Sequence, residues 1–149
     1  KMKPWDKDDY GNIMIRILGD RLAEAFTELL HEKVRRSLWG YAADEQLSPA
    51  EILKGAYRGI RPAPGYPACP DHTEKAKLFA MLGAEQNAGV RLTENFAMDP
   101  VSSVSAYIFA HEQSKYFSVG KIAEDQLLDY AGRKGMDPAA MRRWLAPNL

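Results

Sequence analysis

A single cysteine, Cys69, stands among 149 residues, so no disulfide can close within the chain. That suits a reducing compartment, and a cytoplasmic setting is expected. Net charge is also missing: 20 Lys plus Arg balance 20 Asp plus Glu. Without a long-range field of one sign, neither nucleic acid nor an anionic membrane is expected as a partner. No apolar run approaches the roughly 18 residues a membrane-spanning helix needs. The opening Lys1-Met2-Lys3-Pro4-Trp5 lacks the apolar stretch of a signal peptide. His31, His72 and His111 are scattered without metal-ligand spacing, so no metal site is expected. Internal repeats, low-complexity segments and linkers that would split the chain are absent as well.

What is present is the composition of a folding domain, 46% hydrophobic and 27% charged. From Ile13 to Trp39, Leu18, Leu22, Phe26, Leu29, Leu30, Val34 and Leu38 recur at steps of three and four, which predicts an amphipathic helix stopped by Gly40. Ser48-Pro49 predicts a short helix through Leu53. Asp71 and Glu74 predict a capped helix start, with Leu78, Phe79 and Leu82 on the buried side and an end at Asn87-Ala88-Gly89. The period then changes to two, over Leu92 to Met98 and again over Ser103 to Ile108, which predicts strands. The polar turn His111 to Ser114 leads to Tyr116–Lys121, so the second and third strands are expected to pair as a hairpin. Helices are expected over Ala123 to Lys134 and from Asp137-Pro138 to near Leu145. The fold class is therefore α+β, a small antiparallel sheet with a hairpin, packed by several helices.

The densest chemistry lies in Gly59-Ile60-Arg61-Pro62-Ala63-Pro64-Gly65-Tyr66-Pro67. Its prolines exclude helix and central strand and fix an extended loop that loses little entropy when a ligand arrives. They also delete donors, leaving the carbonyls of Arg61, Ala63, Tyr66 and Cys69 as expected acceptors for a donor-rich ligand. Arg61 adds a planar fork for a carboxylate or phosphate, Gly65 permits close backbone approach, and Tyr66 offers a face to an aromatic ring. These suit a zwitterionic ligand carrying a purine, such as S-adenosylmethionine. A structural Pro-rich loop whose Arg pairs with a protein carboxylate fits the same residues.

Arg61-Pro-Ala-Pro-Gly-Tyr-Pro67, followed by Pro70-Asp71-His72-Thr73-Glu74-Lys75, resembles the signature of the activation domain of cobalamin-dependent methionine synthase. Asp20–Phe26, Leu92-Thr93-Glu94, Ser114–Phe117, Asp125-Gln126, Asp129-Tyr130-Ala131 and Arg143-Trp144-Leu145 resemble the same family in the same order, so the likeness covers nearly the whole chain. It implies a methyltransferase repair module that binds S-adenosylmethionine and supports reductive remethylation of cob(II)alamin. Cobalamin would be held by another domain, since the chain has no Asp-x-His-x-x-Gly corrinoid-ligating motif and no zinc-thiolate centre. A flavodoxin-like or flavoprotein reductase would supply the electron.

By that resemblance Arg61 would hold the ligand's carboxylate and the backbone at Ala63 and Tyr66 would meet the rest of it. Tyr116 and Phe117 would form part of the pocket wall, although the family often has two tyrosines there. Glu24 could face the ammonium or sulfonium charge, or be a solvated carboxylate on a polar helix face. No residue is assigned a catalytic step, and Cys69 is expected to be structural. Lys121, Arg133, Lys134, Arg142 and Arg143 form a candidate basic face for an acidic reductase, with solvated helix surface as the plainer reading. Domains of this family are about twice as long, so residues 1–149 are expected to be a partial domain. Its exposed apolar surface would invite association, and a fragment without the upstream half would bind weakly or act only as a structural piece.

Overall fold

The computed structural model describes residues 8–149, and the chain organises into two compact units. The first comprises residues up to Arg58 together with Glu85–Val104, and the second comprises Gly59–Ala84 and Ser105–Leu149.

In the first unit, helix α1 spans Asp9–Lys33, capped by the Asp8 carboxylate accepting from the Gly11 N–H at 3.0 Å. It widens into a π turn over Val34–Leu38 before Gly40. The predicted apolar stripe is helical but lies on the surface, with Leu22 70% and Phe26 64% exposed. Buried instead are His31 and Arg35 near its end. Arg35 grips both oxygens of Glu45, at 2.6 to 3.0 Å, and lies 4.4 Å from the centre of the Tyr57 ring. A short helix α2, Pro49–Leu53, has the expected Ser48 cap and a reciprocal bond from the Ser48 N–H to Glu51.

The second unit carries α3 (Glu74–Leu82), which ends at Gly83, before the expected Gly89; the further turn α4 (Ala84–Ala88) belongs to the first unit from Glu85 on. Leu78 is buried, but Leu82 is 58% exposed, contrary to expectation. The Asp71 carboxylate accepts from the Thr73 N–H and hydroxyl, while Glu74 turns away to Lys134 instead of closing a capping box. Helices α5 (Glu124–Lys134) and α6 (Pro138–Trp144, capped by Asp137) lie at the predicted places. They enclose a core of Leu127, Ala131, Met141 and Leu145, each no more than 2% exposed.

The sheet is antiparallel and two-stranded: β1 (Arg91–Leu92) pairs with β2 (Met98–Asp99). The run from Leu92 to Met98, which alternates like one strand, folds back on itself. The Phe96 N–H reaches the Thr93 carbonyl at 2.9 Å, the Thr93 hydroxyl accepts from the Ala97 N–H, and Phe96 takes a φ of 55°. The expected hairpin between the 103–108 and 116–121 segments does not form. Both segments bond to the Pro-rich loop instead: Ile60 and Phe109 exchange two bonds of 3.0 Å, the Tyr107 N–H donates to Pro62, and the Val119 N–H donates to Pro67. Proline carbonyls without an adjacent donor attract these N–H groups. Among the described residues no helix is long and apolar enough to cross a membrane.

Candidate functional site

Two glycines shape the loop. Gly59 has a φ of 85°, and a Cβ there would lie 2.2 Å from the Phe109 carbonyl oxygen. Gly65 has a φ of 97°, and a Cβ there would lie 2.3 Å from Cε1 of His72. Any side chain at either place collides with a partner that already fixes the loop. Around Gly65 the backbone coils tightly. The Tyr66 N–H donates to Ala63, the Cys69 N–H to Tyr66 at 2.8 Å, and the Gly65 N–H to Cys69 at 2.7 Å.

This turn revises the expectation of free acceptors. The carbonyls of Ala63, Tyr66 and Cys69 each accept a bond within the loop, because the chain reverses at Gly65 and supplies donors that proline spacing did not reveal. The Ala63 N–H, by contrast, has no partner among the described residues, so the loop offers a donor at that point.

Arg61 is held from a distance. Its N–H donates to the Tyr116 hydroxyl at 2.8 Å across 55 residues of sequence. Sequence reasoning placed Tyr116 on a wall, whereas here its oxygen also clamps the loop. Tyr116→Phe is expected to cost about 1 kcal/mol of local stability, the usual net worth of such a bond. Amide hydrogen exchange at Arg61 should accelerate about fivefold; unchanged protection would show the clamp to be idle.

The Arg61 side chain is half-buried, and the Tyr66 ring is 66% exposed. Ile60 and Pro62, the alternate residues of the ladder, line an open cleft of about 750 Å³ with Cys69, Tyr107, Phe109 and Phe117. Arg61, Ala63, Gly65, Tyr66 and Tyr116 are not among its lining residues, so only Phe117 of the candidates reaches that cleft. The structure thus brings Arg61, Ala63, Gly65, Tyr66, Tyr116 and Phe117 into one unit. Glu24 belongs to the other, where it pairs with Arg21 at 2.9 Å on the exposed side of α1.

Behind the loop lies a buried ionic cluster that sequence reasoning missed. Lys134 of α5 donates to Asp71, Thr73 and Glu74, and the Tyr130 hydroxyl donates to Asp71 at 2.8 Å. Burial would raise the Asp71 pKa, but bonds from Lys134, Thr73 and Tyr130 outweigh it and hold the carboxyl below its ordinary range. Burial, reinforced by Asp71, pushes the Tyr130 phenol well above its ordinary value. Of the candidate basic face, Lys134 is buried here, while Arg133 and Arg142 stay exposed in ion pairs with Asp129 and Glu124.

Burial raises the Cys69 thiol pKa, and Glu74 and Asp71 add to the effect, so the thiolate is disfavoured. Cys69→Ser is expected to leave ligand affinity within about twofold, and wild-type Cys69 should alkylate slowly at neutral pH. Rapid modification that abolishes binding would overturn this.

The geometry can now be compared with known proteins. A crystal structure described as the MetH reactivation domain bound to AdoHcy superposes with a TM-score of 0.93 at 57% sequence identity. The alignment covers 96% of this chain and 44% of that one, so the chain spans less than half the length of the protein it matches. The family model for the activation domain of vitamin B12 dependent methionine synthase matches residues 3–135. With most of its residues inside that match, the chain belongs to the vitamin B12 dependent methionine synthase activation domain family.

Proposed function

We propose that the Arg61–Pro67 loop holds S-adenosylmethionine, and that the chain thereby supports reductive remethylation of cob(II)alamin in cobalamin-dependent methionine synthase. The observation that carries this reading is the pre-organised Arg61–Pro67 turn in a chain 57% identical to a domain solved with AdoHcy, the ligand left when S-adenosylmethionine gives up its methyl group. In this reading Arg61 pairs with the amino-acid carboxylate and the Ala63 N–H donates to the ligand. Gly65 and Tyr66 supply close backbone and ring contacts, and Tyr116 and Phe117 form the wall.

The chemistry belongs to the cofactors: an electron from a flavodoxin-like or flavoprotein reductase and a methyl group from S-adenosylmethionine together restore methylcobalamin. Cobalamin sits in a separate cobalamin-binding domain. This chain's residues bind and orient the methyl donor; none takes a proton or a covalent bond. The lone, unactivated thiol fits a reducing cytoplasm.

The high exposure of Tyr66 and Phe117, 66% and 60%, favours a second reading in which the isolated chain is a structural piece that binds only when the rest of the domain covers these rings. Calorimetric titration with S-adenosylmethionine, on this chain and on one extended by the upstream half, separates the two. Micromolar binding by a monomer of 149 residues would support the first reading alone. Recovery only on extension would support the second, and no binding by either would defeat the proposal.

A further inference from the structure

His72 takes no part in the proposed ligand contacts, yet it is the side chain on which the loop leans. The Cε1 edge of its ring occupies the space a Cβ at Gly65 would need, with both ring nitrogens within 2.7 Å of that position. The ring is also held by the Lys75 ammonium, 3.0 Å from Nδ1. Lys75 itself is only 6% exposed. As an ammonium Lys75 only donates, so in this contact Nδ1 accepts and the imidazole is neutral with its proton on Nε2, although burial lowers the Lys75 pKa as well. Protonation would place a hydrogen on Nδ1 facing the ammonium and break the contact that holds the ring against Gly65.

We infer that His72 is a positioning residue for the Arg61–Pro67 loop, and that its neutral form, locked by Lys75, is the one that keeps the Gly65–Tyr66 turn in its ligand-ready shape. This rests on the proposed ligand site but has a consequence independent of it. The charged groups around the ring are Lys75 from α3 and Asp71 beside it, the latter tied to Lys134 from α5. Burial lowers the His72 pKa and Lys75 lowers it further, with Asp71 opposing. The lock is therefore favoured at neutral pH and opens as the pH falls through the lowered His72 value.

Proton–nitrogen correlation spectra of the full chain, recorded from pH 8 to pH 5, test the coupling without a ligand. The Gly65 and Tyr66 amide signals should shift with the same midpoint as the His72 Cε1 proton, and Lys75→Met should raise the His72 midpoint and displace the Gly65 and Tyr66 signals already at pH 8. His72→Gln offers Lys75 an amide oxygen but cannot titrate, so it should keep the neutral-pH loop signals and erase their pH dependence. A Gly65 signal that ignores the His72 titration in the wild type would overturn the inference even if a variant failed to fold.

Titration with S-adenosylhomocysteine supplies the functional arm. Across the His72 titration affinity is expected to fall about threefold or more in the wild type, and to stay flat in His72→Gln. Equal pH dependence in both proteins would also overturn it. Failure of the wild type to bind at any pH would count against ligand binding by this chain alone, leaving the spectra to decide the role of His72.

Discussion

Arg61→Ala is expected to weaken S-adenosylmethionine binding by about 2 to 5 kcal/mol, because truncation strips the guanidinium from a desolvated carboxylate and leaves that charge unpaired. The fold should survive, since the loop is held through the backbone. The Arg61 N–H on Tyr116 and the Ile60–Phe109 exchange do not involve the guanidinium. Titration calorimetry in a protein that binds the ligand, paired with a thermal melt, is the measurement. A loss of less than about tenfold, or 1.4 kcal/mol, would show that Arg61 is not the anchor.

Lys134→Met should be the most damaging single change to the second unit, at about 3 to 5 kcal/mol, the cost of leaving buried charge without its partner. The Lys134 side chain is 9% exposed and that of Asp71 is 4%, so water cannot replace the ammonium. Burial opposes the charge on Lys134, but the bonds to Asp71 and Glu74 outweigh it and raise the Lys134 pKa. Urea denaturation provides the number. Asp71→Asn on the Lys134→Met background should recover part of the loss, because the two residues act as one network. A destabilisation below about 1 kcal/mol would mean the cluster is solvated in solution.

The same cluster sets the acid limit. Asp71 has a folded pKa below its ordinary 3.8, so its contribution is complete above pH 3.8 and disappears as the pH falls through the lowered value. Thermal melts from pH 6 to pH 2 should show this loss in the wild type and a shallower slope in Asp71→Asn.

Local signals were legible in the sequence because they act over three or four residues. Ser48-Pro49 with Glu51, and Asp137-Pro138, started helices where capping chemistry requires them. The prolines between 62 and 70 excluded helix because each fixes its own φ and restrains its predecessor. The loop motif itself, and with it the family, could be read directly from the residue order.

What the sequence could not decide was which distant donor meets which acceptor. The alternation over Leu92–Met98 says that side chains change sides, and it is equally satisfied by one strand or by two short ones joined at Thr93–Phe96. The 103–108 and 116–121 segments had the right pattern to pair with each other. They bond instead to a loop whose proline-deleted donors leave carbonyls to be satisfied. Lys134 reads as surface charge in a helix, and only the approach of Asp71 and Glu74 from more than 55 residues away buries it. Periodicity and capping determined the elements of this protein; hydrogen-bond satisfaction across the fold decided what those elements hold in place.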